Sequence, residues 1–203
     1  MTGVPHDLPR EREVVAHRVL HEGRIWDVVQ DTVALDDGEV VREYIRHPGA
    51  VAVLAMDDED RVLLLSQYRH PARRVLWEPP AGLLDVEGED RVVAAARELA
   101  EEADLVAGRW WRLVEFYSSP GSSDERITVF LARDLRPVPD GERYARGEEE
   151  ADMVPEWVPL DDALAAVHDG RLQSPTAVVG VLAAAAARAS GWATLTAVDL
   201  PAV

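Results

Sequence analysis

The residue pattern predicts an α+β fold, in which mixed strands are joined by helices lying between and after them rather than in strict alternation. Three observations carry that expectation. Short strand patterns crowd the start of the chain, with a hairpin signal at Asp36-Asp37-Gly38. Two near-continuous Val/Ala/Leu runs, 50–56 and 61–67, read as strands buried on both faces. Helical periodicity is found only later, at 90–103 and in the last part of the chain.

Taken in order, residues 1–12 read as a mobile tail, polar and broken by Pro5 and Pro9. Residues 13–46 read as a small antiparallel β unit with strands at 14–20, 25–35 and 40–45, a size that is marginal without a partner surface. The main domain, 47–190, opens at Pro48-Gly49. Its first two strands flank the turn Asp57-Asp58-Glu59-Asp60. A loop through Trp77-Glu78-Pro79-Pro80-Ala81-Gly82 leads to a helix over 90–103, where Val92, Val93, Ala96, Leu99 and Ala103 recur at helical spacing opposite a charged face. Strands follow at 110–116 and 127–131, then a Pro/Gly/Glu-rich loop at 138–152 and a strand at 156–159. Asp161 or Asp162 is positioned to cap a helix running to His168, and Ser174-Pro175 to open the last helix, which ends near Ser190. Residues 191–203 read as a C-terminal tail.

Composition narrows the function classes. The 203 residues carry a formal net charge of −17, which opposes binding to duplex nucleic acid because phosphate contacts need a basic field. For most of the surface, solubility is explanation enough of the acidity. A small anionic substrate remains compatible, since a bound cation or an arginine cluster reverses the potential inside one pocket. No apolar run reaches the roughly 18 residues needed to span a bilayer, and the N-terminus lacks the apolar centre of a signal peptide. With zero cysteines there is no disulfide framework, thiol nucleophile or thiolate metal site, and a cytoplasmic protein without membrane association is expected.

The informative stretch is Gly82 to Leu105. Glu98 and Glu102 are four residues apart and share one helix face, with Glu101 beside them. Like charges at that spacing cost a helix about 0.2–0.5 kcal/mol per pair. A solvated acidic face accounts for most such runs. A divalent cation held between the carboxylates is the alternative, and hard oxygen ligands that leave room for water and phosphate suit Mg²⁺ or Mn²⁺. Arg97 and Glu101, also four apart, form a pair able to orient the carboxylates.

The run Gly82…Glu89-x7-Arg97-Glu98-Leu99-x-Glu101-Glu102-x-Asp104-Leu105 resembles the Nudix box, G-x5-E-x7-R-E-U-x-E-E-x-G-U, where U is bulky and aliphatic. Two departures stand out: six residues instead of five separate Gly82 from Glu89, and Asp104 replaces a glycine. Asp tolerates left-handed backbone better than most residues, so the helix end is expected to survive. From Val14 to about Ala187 the chain is similar to the ADP-ribose pyrophosphatase branch of that family. That likeness rests on Gln67-Tyr68-Arg69 before Trp77-Glu78-x-Pro80-Ala81-Gly82, on Pro120 fifteen residues after the box, and on Gly23-Arg24-Ile25-Trp26.

The resemblance implies a Nudix fold, mixed β-sheets packed between helices as an α/β/α sandwich, with residues 13–46 forming an intertwined homodimer. It implies metal ligation by Glu98 and Glu102, assisted by Glu101 and the carbonyl of Ala81, with Mg²⁺ or Mn²⁺ as cofactor. Arg97 belongs to the catalytic set. The base that takes a proton from water is placed on the late acidic loop, at Glu149 or next Glu150. Arg69 is implied at the diphosphate or terminal ribose and Glu78 at substrate hydroxyls or an amine, with a structural ion pair as the alternative for both. Trp26 is a candidate for stacking on adenine or for the core or interface, and Pro120 and Gly121 complete the substrate set.

The implied substrate is a small nucleoside diphosphate sugar, first ADP-ribose, cleaved to AMP and ribose 5-phosphate. The alternatives are a GDP-sugar, a flavin or nicotinamide dinucleotide, and a non-catalytic ADP-ribose sensor. The complete glutamate set and the acidity oppose the sensor.

Overall fold

The structure is a computed structural model that describes residues 3–145, 147 and 152–200. It divides into two compact units, Met1–His47 with Ser119–Glu125, and Pro48–Ser118 with Arg126–Val203.

The first unit is a three-stranded antiparallel sheet, order β1-β2-β3, from Val14–His21, Asp27–Leu35 and Gly38–Arg46. Asp36-Asp37 make the β2–β3 turn, with Leu35 opposite Gly38. The turn before β2 needs Gly23, because a Cβ there would lie 2.1 Å from the carbonyl oxygen of Trp26. Polar side chains tie the sheet together: Asp31, buried, meets His17 Nδ1 at 2.6 Å and accepts from Tyr44 Oη at 3.0 Å. The segment Ser119–Glu125 attaches at the end of β3, where Ile45 N–H donates to Ser122 and Asp124 N–H donates to Ile45.

The second unit is an α/β/α sandwich. Its five-stranded mixed sheet has the order β11-β8-β9-β4-β7, built from Ala50–Ala55 (β4), Ala81–Leu83 (β7), Leu105–Tyr117 (β8), Arg126–Pro137 (β9) and Thr196–Val198 (β11). β4 runs parallel to β9 and antiparallel to β7. A three-stranded antiparallel sheet, β10-β5-β6, consists of Val154–Pro159 (β10), Arg61–Arg69 (β5) and Arg74–Glu78 (β6). The helices are Arg91–Ala103 (α1), Leu160–His168 (α2) and Pro175–Ala189 (α3).

β4 shows why the sandwich forms. Val51, Val53 and Ala55 point into a core with Val92, Ala95 and Leu99 of α1, whereas Ala52 and Leu54 face Leu160 and Ala163 of α2 and Val181 and Ala184 of α3. β5 alternates in the same way, with Leu63 and Leu65 toward α1's core and Val62 and Leu64 toward that of α2 and α3. A strand apolar on both faces needs helices on both sides.

Several boundaries differ from the sequence reading. β8 and β9 are longer at both ends than 110–116 and 127–131. β6 and β7 stand where the sequence reading has no strand and, from Trp77 on, a loop, and β11 at Thr196–Val198 lies in the expected C-terminal tail. Asp161 and Asp162 do not cap α2; Pro159 holds that position with no side-chain hydrogen bond, and the two carboxylates lie in the first turn, where they favour the helix dipole. α3 starts as expected, with Ser174 at the N-cap and Pro175 next.

Asp104 closes α1 in the left-handed region at φ 54, ψ 34, its N–H bonded back to Ala100 and Leu99. Its carbonyl also accepts from Val138 N–H at 2.8 Å, anchoring the helix end. Asp104→Val is therefore expected to destabilise the protein by about 1–2 kcal/mol, as a β-branched residue is poorly tolerated there, and Asp104→Gly to cost nothing. Urea denaturation of the pair checks this; equal stability of Val and Gly variants would contradict it.

Candidate active site

The site grows from α1. Asp90 caps the helix by accepting from Val92 N–H at 3.0 Å. The buried face holds Val92, Ala94, Ala95 and Leu99 together with Glu98 and Glu102, so the two carboxylates do not lie on a face opposite the apolar one as the sequence pattern suggests. Val93, Ala96 and Ala103 are only partly buried. Both carboxylates are nearly covered, at 9% and 8% exposure. They stand against β7. Glu102 Oε2 accepts from Ala81 N–H at 2.8 Å. Glu98 lies over Gly82, where a Cβ would fall 2.1 Å from its Cδ and Oε1. A side chain at 82 would displace that carboxylate.

Arg97 holds the group in place from the outer side. Its guanidinium grips Glu89 through Nε at 3.2 Å and Nη2 at 3.0 Å, and donates from Nη1 to Glu98 at 2.5 Å and to Glu101 at 3.4 Å. The expected Arg97–Glu101 pair thus exists but is the longest of these contacts. Glu89, absent from the candidate set, is the principal partner. Its place in the motif was the available signal. The hydrogen bond to Glu89, and then the charge of Glu98, hold Arg97 more firmly protonated than a free arginine. Burial pushes the Glu98 carboxyl up, opposed by Arg97 and reinforced by Glu101 and Asp85.

A small cleft joins this helix face to β5 and β6: Arg69, Glu78, Ala81, Glu102, Gln67 and Met153 line it. Arg69 forks onto Glu78, Nε to Oε1 at 3.2 Å and Nη2 to Oε2 at 2.7 Å. Gln67 belongs to the Gln67-Tyr68-Arg69 run that carries the resemblance, whereas Met153 has no place among the sequence candidates, since its residue type does not signal chemistry. A separate cavity of about 530 Å³ lies between Arg91, Glu115, Thr128 and Phe130; it takes in Glu89 but none of Glu98, Glu101 or Glu102, so the chemistry is assigned to the smaller cleft.

Among the described residues no three Asp, Glu or His side chains converge as a ready-made metal cage. The donor set nevertheless fits a hard cation: two anionic carboxylates on one helix face, both against β7, too few to saturate an ion that keeps waters and takes phosphate oxygens.

The remaining candidates are placed as follows. Trp26, 42% exposed, belongs to the first unit, as do Pro120 and Gly121, which lie in the exposed turn closed by Ser122 N–H onto Ser119. Glu149 and Glu150 lie outside the described residues.

Comparison with known proteins adds a family. The NUDIX domain model matches residues 46–177. An ADP-ribose pyrophosphatase of Mycobacterium tuberculosis is 44% identical over 172 residues, covering 84% of this chain and 82% of that one. An ADP-ribose pyrophosphatase of Bacillus subtilis is 39% identical over 159 residues, covering 78% and 84%. A crystal structure of an ADP compounds hydrolase superposes with a TM-score of 0.73 at 20% identity, over 92% of this chain and 99% of its own, and speaks for the fold.

Proposed function

The chain belongs to the Nudix family, and from that premise we propose that it is a pyrophosphatase hydrolysing ADP-ribose to AMP and ribose 5-phosphate. One observation carries this reading: the relatives named ADP-ribose pyrophosphatase match about four-fifths of the chain, and its Arg97-Glu98-Leu99-Ala100-Glu101-Glu102 run is complete.

Glu98, Glu102 and the carbonyl of Ala81 would hold Mg²⁺ or Mn²⁺, with Glu101 assisting; such an ion would supply charge neutralisation at the pyrophosphate and a more acidic water. Arg97 keeps Glu98 and Glu101 oriented through the contacts described, and Glu89 keeps Arg97 in place. Glu149, or else Glu150, takes the proton of the attacking water. Supporting that choice, Met153, shortly after both in sequence, lines the cleft with Glu102. Arg69 serves the diphosphate or terminal ribose in that cleft, with Glu78 beside it. Trp26 stacks on adenine, a role favoured by the exposed indole ring, and Pro120 and Gly121 belong to the substrate-binding set. Such a site works by positioning and charge stabilisation.

The protein is further proposed to be a cytoplasmic homodimer acting on a small molecule, with no nucleic acid or membrane partner. The absence of cysteine and the net charge of −17 support the first and last points. Exposed Val14, Val15, Val19 and Val41 on the small first sheet, with Ile25 in its β1–β2 connection, support dimerisation, since such a sheet is marginal alone.

Incubating purified protein with ADP-ribose and Mg²⁺ or Mn²⁺, then with EDTA, tests the reading by chromatography. Metal-dependent AMP is expected. No AMP with either metal would overturn it and direct the assay to GDP-sugars and dinucleotides.

A further inference from the structure

Arg69 and Glu78 lie on the same face of the β5–β6 hairpin, but not opposite each other. The register sets Leu65 across from Glu78, Gln67 across from Leu76 and Arg69 across from Arg74. Arg69 is therefore four residues further along β5 than the position facing Glu78, about 13 Å of strand. Its side chain folds back along its own strand to place Nε and Nη2 on the two Glu78 oxygens. The two partners differ in exposure: the Arg69 side chain is 42% accessible and that of Glu78 only 10%.

We infer that Glu78 is a positioning residue, which acts on the substrate through Arg69 by holding that guanidinium in the cleft it shares with Glu102. The inference deepens the proposed function and rests on it. A carboxylate alone in this cleft would repel a diphosphate. With both oxygens already accepting from a guanidinium, Glu78 is the buried anchor and Arg69 the face a ligand meets. The group Arg69 would recognise is an oxygen acceptor, a phosphate or a sugar hydroxyl beside the helix carboxylates. A side-on fork fixes the guanidinium plane, which a single contact would leave free to turn.

A double-mutant cycle tests this, reading KM, kcat and Tm with ADP-ribose and Mg²⁺. Wild-type turnover is measured first, so that its absence counts against the function, and with it this inference, before any variant is read. Glu78→Gln is expected to raise KM about tenfold with a smaller fall in kcat, because the amide sets a donor against the fork. Glu78→Asp, which keeps the charge, should recover part of the loss. Added to Arg69→Ala, Glu78→Gln should raise KM no further. Two results would overturn the role: losses that multiply in the double variant, which would put Glu78 on the substrate itself, or a lowered Tm with KM unchanged, which would make the pair structural. If Glu78→Gln does not fold, Arg69→Lys decides, because lysine lacks the fork. It should raise KM about as much as Arg69→Ala, and an unchanged KM would sink the proposal.

Discussion

Glu102→Gln is expected to lower kcat for ADP-ribose by about a thousandfold or more, with Tm shifted by no more than about 3 °C. The two halves of the expectation have different causes. Glutamine keeps a carbonyl oxygen that accepts from Ala81 N–H, the 2.8 Å bond by which Glu102 holds β7, so the local fold persists. What is lost is the negative charge on the buried face of α1 that a hard cation requires. A thousandfold corresponds to about 4 kcal/mol of transition-state stabilisation, within what a metal site supplies. Steady-state kinetics beside a thermal melt check the result. A variant retaining a tenth of wild-type kcat would remove Glu102 from the metal site. A variant that had lost turnover but kept a functional response to ADP-ribose would favour a sensor.

Gly82→Ala follows from the close approach of β7 to α1. The added methyl would lie 2.1 Å from Cδ and Oε1 of Glu98 and 2.6 Å from Oε2, so the carboxylate has to move by about 1 Å. It can do so, because it ends a flexible side chain, and the stability cost is expected to stay within about 2 kcal/mol. Catalysis tolerates less, since a 1 Å misplacement of a positioned group costs about a hundredfold. The expected phenotype is a folded enzyme with kcat down about a hundredfold, and Glu98→Gln added to Gly82→Ala should reduce it little further. Wild-type kcat in Gly82→Ala would show that Glu98 does not lie over this glycine in the working enzyme.

Much of the site was legible because helical spacing is local. Four residues bring Glu98 and Glu102 to one face wherever the helix forms; that this face turns inward beside Val92, Ala95 and Leu99 was decided by packing and not by the pattern. Local spacing also suggested Arg97 with Glu101, and there it misled in emphasis. The bidentate partner is Glu89, eight residues back, because the loop before Asp90 folds against the helix side. Periodicity has nothing to say about a loop's return path.

By itself, the amino-acid sequence determined the α+β class, the two-faced burial of β4 and β5, the helix over 90–103, and the placing of Glu98 and Glu102 on one face of it. All of these follow from short-range rules, periods of 2 and 3.6 residues and the chemistry of caps and turns. Tertiary structure alone decided the rest. It set β7 under Glu98 so that a side chain at 82 displaces its carboxylate, folded Arg69 back onto Glu78, and joined Ser119–Glu125 to the first unit although the chain on either side belongs to the second. Those placements depend on contacts between residues distant in sequence, which packing selects and no local pattern encodes.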